Sequence, residues 1–106
     1  MKNINEIKED FTTKTIKKAI IFKNSTRCPI SRAAKNEYEK YAQECEEEIE
    51  LYIVDVIQNR KTSEIIEEET SVKHESPQVI YIENGTPKRS ISHWEITKET
   101  LKKISR

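Results

Sequence analysis

Glycine is almost missing from this chain: Gly85 is the only one among 106 residues. Gly-rich phosphate loops and low-complexity linkers are thereby excluded, and the place of the one glycine becomes informative. Cysteine is nearly as scarce, with only Cys28 and Cys45. Two thiols are too few for a metal cluster or a disulfide scaffold, and in a reducing compartment such thiols are inert or catalytic. Two histidines added to two separated cysteines make no zinc site either, so no metal is expected. No charge of one sign dominates. Lys+Arg and Asp+Glu both number 19, which gives neither a basic face for nucleic acid or anionic membrane nor an acidic tail. No apolar run exceeds a few residues, so no transmembrane helix is expected, and the first residues show no apolar signal core. A cytoplasmic protein is the default expectation.

What remains is enough for one compact domain, residues 1–106, and too little for two. Hydrophobic residues make up 34% and charged ones 36%, so the core has to be economical. Patterned Ile, Val and Leu runs nevertheless argue for a folded chain. Ile4, Ile7 and Phe11 fall on one helical face, and Asn3 with Glu6 resembles a capping arrangement, so a short N-terminal helix is expected over residues 3–11. Ala19-Ile20-Ile21-Phe22 is apolar at every position, as a strand covered on both faces would be. Ile30, Ala34, Tyr38, Tyr41 and Cys45 then recur at helical spacing, predicting a helix over residues 29–45. Leu51-Tyr52-Ile53-Val54 reads as a second strand and Asn59 to Glu69 as a second helix, with Ile65 and Ile66 inward.

Val79 to Ile82 is a third strand, and Asn84-Gly85 is a hairpin signal leading to a fourth over residues 87–92. Pro87 cannot donate to a ladder, which places that strand at an edge or puts Pro87 at its start. Thr97 is positioned to cap a last helix ending at Ile104. Parallel strands joined by helices, then a hairpin, then a helix, make a three-layer α/β/α sandwich on a four-stranded mixed sheet.

The chemistry centres on Asn24 to Ser31. Cys28 stands at a strand-to-helix junction, where the free N–H groups of the first helical turn favour thiolate over thiol. Pro29 fits the first helical position, where its missing N–H costs nothing. Arg27 adds a nearby positive charge. Ser31 stands where a two-cysteine motif would carry its second thiol; it cannot form a disulfide but can donate a hydrogen bond to a thiolate. Cys45 is a poor substitute. Seventeen helical residues would put it about 25 Å along the axis from Cys28, whereas a disulfide needs Cα atoms within about 7 Å.

Cys28-Pro29-Ile30-Ser31 together with Ser76-Pro77 resembles the paired motifs of the thioredoxin fold. More closely, Ser25-Thr26-Arg27-Cys28-Pro29-Ile30-Ser31 with His74-Glu75-Ser76-Pro77-Gln78 is similar to the monothiol bacilliredoxins, as are Asn84-Gly85 and Ser92 to Thr97. The resemblance covers nearly the whole chain. It implies a thioredoxin-like fold with an extra N-terminal helix, and a thiol–disulfide exchange enzyme with Cys28 as nucleophile. It also implies a cis Pro77 that shapes a groove and presents the Ser76 backbone, with Thr26, Arg27, Pro29, Ser31 and His74 as supporting or substrate-binding residues. Bacillithiol would be the co-substrate and no cofactor would be bound. Client proteins carrying bacillithiol would be the partners, and the protein would act as a monomer. Two other readings share the same thiol: a redox-responsive binding module capped at Cys28, and a glutathione-linked monothiol glutaredoxin. An iron–sulfur carrier fits less well, because Pro29-Ile30 replaces the Gly-Phe that follows the cysteine in such relatives.

Overall fold

The computed structural model describes residues 3–8 and 11–105. Its centre is a five-stranded sheet. In chain order the elements are β1 (Ile4–Glu6), β2 (Lys18–Asn24), α1 (Pro29–Ala42), β3 (Glu50–Asp55), α2 (Arg60–Thr70), β4 (Gln78–Glu83), β5 (Thr86–Ser92) and α3 (Lys98–Ile104). A single 3-10 turn, His93–Glu95, joins β5 to α3. The strands lie in the order β1-β3-β2-β4-β5. β3 runs parallel to β1 and β2, while β4 is antiparallel to β2 and β5.

β2 is central, and Ala19, Ile20, Ile21 and Phe22 are all fully buried. Alternation along the strand sends Ile20 and Phe22 to one face, where Ala34, Tyr38 and Tyr41 of α1 and Leu101 and Ile104 of α3 meet them. Ala19 and Ile21 face the other way, against Ile66 of α2 together with Val54, Ile80 and Ile82. The result is a three-layer α/β/α sandwich. Tyr38 is fully buried and donates its hydroxyl proton to the carbonyl of Tyr52 at 2.9 Å, which satisfies a polar tip inside an apolar layer.

The N-terminal helix and the four-stranded sheet expected from the sequence are both corrected. Ile4–Glu6 is a strand that extends the sheet to five, and Ile7 continues its pairing through an N–H bond to Ile53 O at 3.0 Å. A spacing of three places Ile4 and Ile7 on one face of a helix but on opposite faces of a strand. Both faces are used here: Ile4 packs against the α1 side and Ile7 against the α2 side. Residues 9 and 10 of the expected helix lie outside the described residues.

α1 stops at Ala42, three residues short of the expected end. Gln43 and Glu44 donate to the carbonyls of Lys40 and Tyr41, which tightens the last turn. The acidic residues that follow are repelled by the negative end of the helix. In α2, Ile66 is fully buried while Ile65 is only half-buried. β5 is an edge strand, as β1 is on the other side, with Pro87 at its second position beside an irregularity in the ladder.

Asn84 and Gly85 both take positive φ, 52° and 75°, as a two-residue hairpin turn requires. The turn is docked as well as closed. Asn84 N–H donates to Lys17 O and Gly85 N–H to Ile16 O, at 2.7 and 2.8 Å.

Candidate functional site

Parallel pairing of β2 with β3, and antiparallel pairing of β2 with β4, bring three chain segments to one end of the sheet. They are the loop after Asn24, the loop after Asp55 and the loop before Gln78. The carboxyl ends of parallel strands are where α/β folds commonly bind ligands.

Cys28 is the residue that caps the start of α1, and Pro29 is the first helical residue. The backbone of Cys28 is extended, and its N–H bonds Ser25 O at 3.2 Å, closing the Ser25–Cys28 turn. The thiol is half-exposed, so it is both accessible and protected from full solvation. Its pKa lies below the ordinary thiol value. The largest cause is the backbone N–H of Ser31; partial burial opposes it, and the N–H of Ile30 and the hydroxyl of Ser31 add to the lowering. These N–H groups belong to the first turn of α1, where no carbonyl is available to them. The exposed Arg27 is not among the groups that depress the thiol, so the helix start accounts for the effect.

Ser31 is fully buried. Its Oγ accepts the N–H of Ser25 at 3.2 Å, which leaves the hydroxyl proton for the sulfur. Thr26 and Pro29 are exposed. Thr26, Asn24, Ser25, Arg32 and Lys35 line a depression of about 170 Å³ with Cys28. Arg32 and Lys35 lie four and seven residues along α1 from Cys28 and therefore share its face. Sequence reading missed them, although that spacing is visible in the sequence.

The Ser76–Pro77 peptide is cis. Gln78 is buried and braces the preceding loop: its Oε1 accepts the N–H of Glu75 at 3.3 Å and its Nε2 donates to Lys73 O at 3.0 Å. On the other side His93 N–H donates to Pro77 O at 3.0 Å. Trp94 follows, with 69% of its surface exposed. The Ser76 hydroxyl is buried with no hydrogen-bond partner among the described residues.

His74 does not enter the Cys28 depression. It lies on the α2 side, with the ring Nδ1 3.3 Å from Ser63 Oγ and the backbone N–H donating to Glu67 Oε2 at 2.6 Å. Burial and the nearby Lys23 charge lower its pKa, with Glu67 and Glu75 acting in the opposite direction. Cys45 lies past the far end of α1, half-buried against the core and not joined to Cys28. The helix between them has 14 residues and is about 21 Å long.

The family model described as monothiol bacilliredoxin BrxC matches residues 1–101. A solved thioredoxin-fold structure, described as a candidate oxidoreductase, is 32% identical over 89% of this chain and 82% of its own, with a TM-score of 0.79. The thioredoxin of Malassezia sympodialis superposes with a TM-score of 0.73 at 16% identity, covering 97% of this chain and 88% of that one. Thioredoxin f of spinach chloroplast gives 0.72 at 14% identity, covering 94% and 88%. These last two establish the fold; the first two findings establish thiol–disulfide redox chemistry.

Proposed function

This chain belongs to the monothiol bacilliredoxin family, and from that premise we propose that it removes bacillithiol from mixed disulfides on client proteins, with Cys28 as its single working thiol. The Cys28 thiolate attacks the bacillithiol sulfur of the client's mixed disulfide. The client sulfur leaves as a thiolate and takes a proton from solvent. Cys28 now carries bacillithiol. A second bacillithiol, as its thiolate, attacks the bacillithiol sulfur of that adduct. Cys28 thiolate is released, and bacillithiol disulfide carries away the oxidising equivalents.

The observation that carries this reading is the pairing of Cys28 with Ser31. The cysteine caps α1 with a depressed pKa, while the position that would hold a second thiol is a buried hydroxyl supporting the first. No internal disulfide can form there, so the resolving thiol comes from solution. Exchange rate then depends on thiolate fraction and access, and the helix start favours the first. In this reading Pro77 and the Ser76 backbone serve as the opposing wall and Arg27 as a residue at the entrance, while Thr26 lines the Cys28 depression; one chain suffices for the cycle. A reducing cytoplasm with bacillithiol supplies the rest.

The test is an adduct assay. A bacillithiolated protein is incubated with this chain, and intact mass is followed for both. Bacillithiol should appear on Cys28 as it leaves the client, and Cys28→Ser should leave the client modified. Full transfer by Cys28→Ser would refute the proposal. Running glutathionylated client in parallel decides between the two small thiols.

A further inference from the structure

The Cys28 depression adjoins a second one, of about 280 Å³, at the carboxyl ends of β2 and β3, and Asn24, Thr26 and Lys35 line both. Side by side the two reach the lower end of the range of small-molecule sites, about 300–1,000 Å³. The other polar residues of the second depression are Glu6 at the end of β1 and Asp55, Gln58 and Asn59 between β3 and α2. Ile53 adds apolar surface.

Asn24, the last residue of β2, is only 7% exposed, and its carboxamide has no hydrogen-bond partner among the described residues. The unpartnered polar atoms that are shut off from solvent belong to Lys23 and Ser76, so the Asn24 amide is open to the depressions it lines. Its carbonyl is engaged by the Val56 N–H at 2.9 Å. Asp55 holds the following turn with one oxygen. Oδ1 accepts the N–H groups of Ile57 and Gln58 at 2.9 and 3.3 Å, and Oδ2 has no partner among the described residues. Asn59 precedes α2 without using its side chain as a cap. A buried amide, a half-used carboxylate and an unused amide therefore line one space. A nearly buried amide left unpaired is costly unless water or a ligand meets it.

Charge narrows the ligand. Glu6 and Asp55 disfavour an anion, and Lys35 opposes a cation. Amides and a hydroxyl make up the rest of the polar lining, and they both donate and accept. A neutral group rich in hydroxyls answers them. We propose that this depression is a sugar subsite for the small thiol carried on Cys28, with Asn24, Asp55 and Asn59 as hydroxyl partners. The proposal rests on the reading of Cys28 given above and names the part of the thiol that is recognised. Bacillithiol joins its cysteine to an amino sugar, so the sugar lies a few bonds from the sulfur, as the shared lining of the two depressions requires. Glutathione has no such ring and leaves these groups unmet.

The experiment uses one client protein carrying cysteine, cysteinyl-glucosamine or bacillithiol in mixed disulfide. Transfer of each group to Cys28 is followed by intact mass in wild type, Asn59→Ala and Asn24→Ala. The chemistry at sulfur is common to all three, so the rate ratio of cysteinyl-glucosamine to cysteine isolates the sugar. Two or three neutral hydrogen bonds should make that ratio roughly tenfold in wild type. Each variant should lower it roughly threefold, the scale of one such bond, and bacillithiol should respond as cysteinyl-glucosamine does. A wild-type ratio near one, or a ratio unchanged in both variants, overturns the subsite and leaves the exchange reading standing. Failure of all three groups to reach Cys28 counts instead against the exchange reading. Methyl N-acetylglucosaminide then decides the subsite, by titration monitored at the Thr26 and Asn59 amides by NMR. Saturable shifts that weaken in Asn59→Ala support it, and their absence overturns it.

Discussion

The N–H of Ser25 donates to the hydroxyl of Ser31 across the turn that holds Cys28, at 3.2 Å. The acceptor lone pairs of Ser31 face the loop, and its proton is available to the sulfur. Ser31→Ala should therefore raise the Cys28 pKa, though not to its ordinary value, because the larger contribution is the Ser31 backbone N–H, which alanine keeps. Below its pKa the thiol is mostly protonated, so raising that pKa lowers the thiolate fraction at neutral pH. Alkylation of Cys28 by iodoacetamide at pH 7 should slow roughly threefold, a part of what a charge-assisted bond supplies. Its pH profile should shift to higher pH; an unchanged profile would show that the hydroxyl does not reach the sulfur.

Cys45 lies half-buried at the opposite end of α1. Cys45→Ala should leave bacillithiol transfer unchanged and lower stability by about 1 kcal/mol or less, the scale of a small, partly buried truncation. Loss of transfer in this variant would make Cys45 part of the cycle.

Lys23 is held at a pKa of about 8 by burial, with Glu67 opposing the shift. An unfolded chain titrates its lysines near pH ~10.4. Between these values the unfolded state binds more protons, so unfolding free energy rises with pH across that window. Below about pH 8 the cost of the buried charge is present in full. Lys23→Met removes the charge and keeps the stem. It should stabilise the protein at pH 7 by about 1–3 kcal/mol, and the advantage should shrink as pH rises from 8 towards 10. Urea unfolding across that range tests it; a constant difference would place the effect in packing instead.

Gly85 has φ +75°, and a Cβ built there would sit 3.2 Å from Thr13 O and 3.4 Å from Lys14 O. Gly85→Ala should cost about 1–2 kcal/mol through strain at positive φ and displacement of the docked 13–17 segment. Urea titration measures it, and a neutral result would mean that the turn relaxes freely.

Local rules exposed much of this molecule. The central strand announced itself by four consecutive apolar residues, the hairpin by Asn84-Gly85, and the thiol by its place before Pro29. β1 was hidden because three residues carry no readable period, and its two isoleucines fit a helix equally well. Only the unpaired flank of β3, a tertiary fact, makes the strand the answer. Lys23 was hidden for the opposite reason. A lysine ending an apolar run reads as the return to solvent, and nothing local says that α2 and the His74 loop cover it. His74 shares a short motif with Pro77, yet three residues of chain were enough to turn it towards α2.

β1 pairs with β3 through Ile4, Asn5 and Glu6, and Asn5 adds a side-chain bond to Leu51 O at 3.3 Å. Without these residues, the backbone of Leu51-Tyr52-Ile53-Val54 would present a bare row of donors and acceptors along an apolar strand. Such a border is a template for strands of other molecules. The opposite border, β5, is guarded by Pro87, Lys88 and Arg89, a proline and two cations that discourage a newcomer. Ile4 to Ile7 therefore act as a selvedge: they cover the apolar flank of β3 and leave only a short strand at that border, which offers a newcomer little to pair with.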